Sequence, residues 1–524
     1  MLRNPARTSG LYIGTVPEQA AAARPSTTIM LDHSLDVLPD VSGYLTVGEL
    51  ADHIDDMAAR LYAAGVRASD QVAIYKNNNF DIYVLASASA RIGAVPVMLS
   101  PALDGESAAA LLARLDRPYL LTDDTKLDGA LAGADLVSVT HAVLSVSAAR
   151  DGVVSLQDLA GSPRREPVLL APDQPALMTH TSGTTGLPKL VVHSHRSLFG
   201  RYRPQRRLGK LLKTGDTAAI HLSYVHSRMY LGMAVLLQRG LHVAVVNDTG
   251  NEKIAELFGR IRPAFVETHP NSFMEWEELV DDPRRPFSNV ACFSSTFDAI
   301  HPGTMDRLLK ASQRTNPVFF QIYGQSECGP LTGRHYTRKN AHKADGRCLG
   351  YPMPGITKYR LVPRNGLKPS RENPGYIEVS TPGRAVGYYG EKERFEKQAF
   401  GKWWRGGDVG FSTKVGCLHL LDREVDVIPG IHSTLEVEDA VLQRLEELAE
   451  LVLVPGPNQE ALPVVCTRQG EPLDLARWKR AVADLPKMAE PIQIPLAELP
   501  RTATMKVQRI KLASILREQL EAAS

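Results

Sequence analysis

A chain of 524 residues is too long for one hydrophobic core and is expected to hold two or more domains. With 44% hydrophobic and 23% charged residues it has the make-up of an ordinary globular protein, and a net charge of +2 gives no field to draw in nucleic acid or an anionic membrane. Five scattered cysteines without a C-x-x-C pair argue against a disulfide framework or a zinc site and suit a reducing cytoplasm. The start M-L-R-N-P-A-R-T-S-G lacks an apolar signal core, and no run of about 18 apolar residues marks a membrane span. The Arg-rich, Ala-rich usage points to a GC-rich bacterial genome.

In chain order, residues 46–65 carry Leu50, Ile54, Met57, Ala58, Leu61 and Ala64 at helical spacing, and Gly65 is the stop. Q-V-A-I-Y at 71–75 follows as a buried strand, then a helix over 79–92 up to Gly93, then the strand A-V-P-V-M-L at 94–99. This alternation implies a parallel α/β sheet, and further strands are expected at 243–246, 265–268 and 318–322. Short strands at 176–178 and 190–192 flank a polar stretch between them. Arg196 to Lys213 carries Arg201, Arg203, Arg206, Arg207, Lys210 and Lys213, which is either a solvated helix face or a dock for an anion or carrier protein. From 345 to 420, Gly and Pro punctuate short strands such as 375–380, as in a small antiparallel β module. A last region of about 100 residues starts near Leu421 and includes an amphipathic helix over 436–449 through Val437, Val441, Leu445 and Leu448.

The polar stretch at 181–189 reads T-S-G-T-T-G-L-P-K. Held between two apolar strands it is a tight loop, and glycine-freed N–H groups, hydroxyls and one cation are what a polyphosphate needs. A Walker A loop is excluded, because Gly183 and Gly186 are too close together and Leu187–Pro188 precede Lys189.

Other motifs follow in order: Y-L-T-V-G-E-L (44–50), Y-G-Q-S-E (323–327), G-Y-P-M-P-G (350–355), W-R-G-G-D (404–408), D-R-E-V-D (422–426), L-P-K-M (485–488) and P-R-T-A-T-M-K (500–506). Together with the loop they resemble the adenylate-forming, AMP-binding superfamily, nearest in pattern to acyl-CoA synthetases and aryl-CoA ligases. The resemblance implies an α/β fold: a large N-terminal ATP- and acid-binding domain over 1–421 with a small β-barrel-like module. A hinge would join it to a small, mobile α+β C-terminal domain over 422–524. It implies attack of a carboxylate on the α-phosphorus of ATP, giving acyl-AMP and pyrophosphate, and then acyl transfer to CoA.

On the same resemblance, Thr181, Ser182, Gly183, Thr184, Thr185, Gly186 and Lys189 hold the phosphates, and Glu327 is the Mg²⁺ carboxylate. Tyr323, Gly324 and Ser295 border the adenine, Ser326 faces the α-phosphate, and Asp408 with Arg423 takes the ribose. Lys506 is the expected catalytic lysine of the adenylation step, reaching the reacting atoms when the small domain closes. His226 stands beside the acid pocket or is a packed core histidine; Ser227, Arg228, Met229, Gly232, His269, Ser294 and Gly324 complete the expected pocket. Arg228 either pairs with a second polar group on the acid or faces solvent. No Asp stands near His226 to hold an α-ammonium, so a plain carboxylic acid is expected rather than an amino acid.

Three departures from the family pattern matter. Ser294–Ser295–Thr296 replace the usual G-G-A and reshape the acid pocket, which points to a bulky acid of natural-product type. Gly406 replaces a Thr. The hinge position is Val425, and Val427–Glu436 with Pro429 is shorter than the stretch that lines the thiol channel. Adenylation is therefore expected to be intact, with CoA transfer weakened or completed by a separate CoA-transferring enzyme or an acyl carrier protein. The opposite expectation, that Val replaces the hinge residue at little cost, stays open. A catalytically inactive nucleotide-binding relative is the competing class; joint retention of Lys506, Glu327 and Asp408 speaks against it.

Overall fold

The computed structural model describes residues 10–523 apart from 148, 182–186, 210–211, 297–299, 365, 457–458, 469 and 502–506. The fold is α/β and has three sheets. The helix Val47–Ala63 starts where the sequence puts it, because Thr46 and Glu49 form a reciprocal capping box. Its face of Leu50, Ile54, Met57 and Leu61 is buried against the helix Asp81–Arg91 in the largest core.

The eight-stranded sheet carries Gln71–Ile74 and Val95–Met98 at its centre, paired in parallel. Pro175–Thr181 joins it next to Val95–Met98, and Lys189–Ser194 pairs back antiparallel, with Thr181 opposite Lys189. This hairpin presents the ends of the polar loop at the sheet's edge of the cleft; Ser182 to Gly186 lie outside the described residues.

The fourteen-stranded sheet includes a run of parallel strands, His242–Val245, Thr217–Ile220, Phe265–Thr268, Cys292–Thr296 and Val318–Gln325. A ligand crevice is expected at the carboxyl ends of such strands. The β module of 345–420 is continuous with this sheet, through the antiparallel pairings of Gly329–Tyr336, Cys348–Pro352 and Leu418–Arg423. The third sheet, Leu448–Pro455, Ala461–Thr467 and Ile492–Gln493, belongs to the C-terminal region, where Leu512 and Leu516 of the last helix pack on Val452, Val454 and Val464.

Two sequence expectations are corrected here. The helix expected over 436–449 runs only from Thr434 to Arg444, and Leu448 opens a strand instead. The segment L-A-E-L-V-L-V alternates as well as it steps helically, and sheet pairing decides. Second, Cys348 and Cys417 are bridged by a disulfide across 69 positions, although the scattered cysteines argued against a disulfide framework. Antiparallel pairing of their strands sets Cys348 opposite His419, beside Cys417, a proximity that linear spacing does not reveal. Among the described residues no helix is long and apolar enough to cross a membrane.

Candidate active site

A cleft of about 1900 Å³ runs between the two large sheets and the C-terminal region. Thr181, Lys189, His226, Ser227, Arg228, Tyr323, Gly324, Ser326, Glu327, Asp408, Arg423 and Val425 all line it. Motifs far apart in the chain therefore meet on one surface. Lys506 lies outside the described residues, as do Ser182, Gly183, Thr184, Thr185 and Gly186.

At one end stands a charged cluster. Lys189 Nζ is 3.5 Å from Glu327 Oε1, and Tyr388 donates its hydroxyl to the same oxygen at 2.5 Å. Lys189 also donates to Tyr388 Oη at 3.1 Å. Burial and the Glu327 charge push the Tyr388 phenol far above its ordinary pKa, so it acts as a fixed donor. Thr181 Oγ1 is buried with no hydrogen-bond partner among the described residues. One carboxylate, one lysine and one orphaned hydroxyl fit a metal-bound polyphosphate, since Mg²⁺ takes few protein ligands. Tyr388 had no motif to mark it.

A second cluster centres on Asp408. Tyr323 donates to it, Gln325 Nε2 donates at 2.8 Å, and Arg423 Nε lies 3.4 Å away. Asp408 is buried and ringed by donors, so its carboxylate is held in one orientation. Gln325 also accounts for Gly406: a Cβ there would stand 2.1 Å from the Gln325 amide. The Gln325 amide thus occupies the space a side chain at 406 would need, a contact that sequence order hides.

The acid pocket differs from expectation. His226 caps the helix Ser227–Arg239, its Nδ1 accepting from Arg228 N–H at 3.1 Å. Arg228 does not await a polar group on a substrate. Its Nε donates to Glu267 at 2.6 Å, its Nη2 pairs with the same carboxylate, and its Nη1 meets Gln205. Met229 is a correction too: it is fully buried in the main core, one residue round the helix from the cleft. Gly232 packs under the Arg228 guanidinium. His269, Ser294 and Ser295 are buried at the carboxyl ends of their strands behind the cleft wall. Val425 is 60% exposed in a short 3-10 turn, Glu424–Asp426.

Burial holds the His269 imidazolium pKa down to about 3 from 6.5, helped by His221 and His226. The folded value lies below the unfolded one, so the unfolded chain takes the proton first. The stability His269 contributes is full above pH 6.5 and falls as pH drops towards 3. Between pH 7 and pH 5 it should withdraw about 2 kcal/mol, read by urea unfolding at both pH values and flattened in His269→Gln.

Residues 17–389 match the AMP-binding enzyme family, and the chain belongs to it. The chain is 45% identical to the 3-amino-2-hydroxy-4-methoxybenzoate diazotase of Streptomyces cremeus, over 98% of this chain and 97% of that protein. It is 25% identical to the 3-aminoavenalumate diazotase of a Streptomyces species, over 78% of this chain and 74% of the other. Among solved structures, the anthranilate CoA ligase AuaEII in complex with anthranoyl-AMP is similar in fold, with a TM-score of 0.82 at 17% identity and 100% of both chains covered. The chain is an adenylate-forming enzyme.

Proposed function

We propose that this enzyme is an ATP-dependent diazotase, which adenylates nitrite and passes the nitrosyl group to the amine of an aminobenzoate-type acid. The observation that carries the reading is 45% identity, end to end, with a diazotase named for an aminobenzoate. A diazonium group needs a second nitrogen at the +3 level, and nitrite is the simplest oxyanion that brings one. Nitrite shares the charge and the paired oxygens of a carboxylate, so the family's chemistry needs no new catalytic group.

The steps balance. A nitrite oxygen attacks the α-phosphorus of ATP; that O–P bond forms as the bond to pyrophosphate breaks. The arylamine nitrogen attacks the nitrosyl nitrogen, the N–N bond forms, and AMP leaves with the bridging oxygen. Transfer of an amine proton to the nitroso oxygen and loss of water then give the aryl diazonium ion. Both amine hydrogens leave in that water, and no outside oxidant is consumed.

In this reading Lys189, Thr181 and the loop Ser182–Gly186 hold the β- and γ-phosphates. Glu327 would hold Mg²⁺, which neutralises phosphate charge. Asp408 and Arg423 take the ribose, with Tyr323 and Gln325 orienting Asp408. Lys506, on a mobile domain over 422–524 hinged near Val425, meets the reacting oxyanion. His226 borders the same centre from the cleft wall. An amine acceptor seated in the pocket of residues 1–421 needs no thiol channel. The hinge residue Val425 and the shortened segment Val427–Glu436 with Pro429 are in keeping with that.

The test is an incubation with Mg·ATP, nitrite and a panel of aminobenzoates, with and without CoA. Pyrophosphate is quantified and diazonium trapped as an azo dye with a naphthol. Pyrophosphate release that requires nitrite, with dye formed whether or not CoA is present, supports the reading. Pyrophosphate that requires only the arene, with acyl-CoA as product, replaces it with an ordinary aryl-CoA ligase.

A further inference from the structure

The basic stretch Arg196–Lys213 divides once folded. Arg203, Arg206 and Arg207 are exposed on the helix His195–Leu208, whereas Arg201 on the same helix is 1% exposed. Its Nε donates to the Gly383 carbonyl at 2.7 Å and its Nη1 to Ser227 Oγ at 3.2 Å. Nη2 is buried with no hydrogen-bond partner among the described residues. Nor does any carboxylate among them lie at ion-pair distance; the nearby Glu327 is engaged by Lys189 and Tyr388. Burial draws the Arg201 pKa down to about 10, which leaves the guanidinium charged at neutral pH. A buried cation with a donor unused and no carboxylate at ion-pair distance among the described residues is a costly arrangement for the fold alone. It becomes favourable when an anion arrives.

Where that anion would sit follows from the neighbours. Ser227 opens the thirteen-residue helix Ser227–Arg239 and lines the cleft. Its oxygen accepts from Arg201, so its own hydroxyl proton is available to a ligand, polarised by the cation behind it. The first-turn N–H groups of Arg228 and Met229 are taken by His226, so the helix end adds only the positive end of its dipole at the same place. The Arg201 stem lies against Gly329, where a Cβ would stand 2.7 Å from Arg201 Cγ. Gly329 and Glu327 both line the cleft, so the Ser227 hydroxyl belongs to the end of the cleft that holds the Lys189–Glu327 cluster.

We propose that the Ser227 hydroxyl seats the reacting nitrite, with Arg201 as the positioning residue that supplies the charge from behind. This seat rests on the diazotase reading.

The test is nitrite-driven ATP–pyrophosphate exchange without any amine, which isolates the first half-reaction. Ser227→Ala is expected to raise the nitrite KM about tenfold while the ATP KM stays within about twofold, because one ligand hydrogen bond is lost and the nucleotide contacts are not. Arg201→Gln is expected to raise it further and Arg201→Lys, which keeps the charge, to recover part of the loss. If the Arg201 variants do not fold, Ser227→Ala and nitrite-induced thermal stabilisation of wild type against Ser227→Ala decide the matter. An unmoved nitrite KM in folded Ser227→Ala overturns the seat. A shift in the aminobenzoate KM alone, in the full reaction, overturns it in favour of a carboxylate seat. Wild-type protein with no nitrite-driven exchange overturns the diazotase reading and the seat with it, whereas wild-type exchange with unmoved variants overturns the seat alone.

Discussion

Glu327→Gln is expected to slow pyrophosphate release about 10²–10³-fold at saturating Mg·ATP while the protein stays folded. The substitution preserves shape, and the amide oxygen still accepts from Tyr388, which now donates to Glu327 Oε1 at 2.5 Å. What disappears is the one negative charge in the cluster with Lys189. In the proposed reaction that charge holds the metal through which the phosphates are neutralised, so chemistry should suffer more than nucleotide binding. Rapid-quench measurement of pyrophosphate, alongside fluorescence titration of ATP binding, separates the two. An unchanged rate would remove Glu327 from the metal site.

Arg228→Met is expected to destabilise the fold by about 3–5 kcal/mol in urea unfolding at pH 7. Glu267 is 1% exposed and receives two of the Arg228 donors, so losing the arginine leaves a carboxylate buried without its cation. The double variant Arg228→Met/Glu267→Leu should recover most of the loss, because both charges are then gone and the volume is kept. Equal stability of the single and double variants would mean that the pair contributes little. The pair also bears on specificity: with Arg228 engaged, any second polar group on the acceptor arene has to be met elsewhere in the pocket.

These two sites illustrate what could and could not be read in advance. Glu327 sits in a contiguous motif, and the family resemblance that motif carries implied its role with the phosphates. The partner of Arg228 lies 39 residues further on, at the end of a different strand, and nothing in a linear pattern announces the pairing. The same holds for Gln325 filling the space over Gly406, and for the Cys348–Cys417 bridge. Helices with a cap and a clean period, such as Val47–Ala63, were legible from local physics. Leu448 was not, because its segment satisfies both periods and only cross-strand pairing with Thr467 resolves it. Charge runs mislead in the same way. Arg201 and Arg203 are nearly adjacent in sequence, yet one is buried and the other exposed, since helix phase decides which side meets the core.

The central claim, that nitrite rather than a carboxylate is adenylated, is tested most directly by oxygen transfer. Turnover with doubly ¹⁸O-labelled nitrite, ATP and an unlabelled aminobenzoate should yield AMP carrying one ¹⁸O in its phosphoryl group, because the bridging oxygen leaves with AMP when the amine attacks nitrogen. Unlabelled AMP in that reaction, with label entering AMP instead from an ¹⁸O-carboxylate arene, would contradict the account and return this enzyme to carboxylate activation.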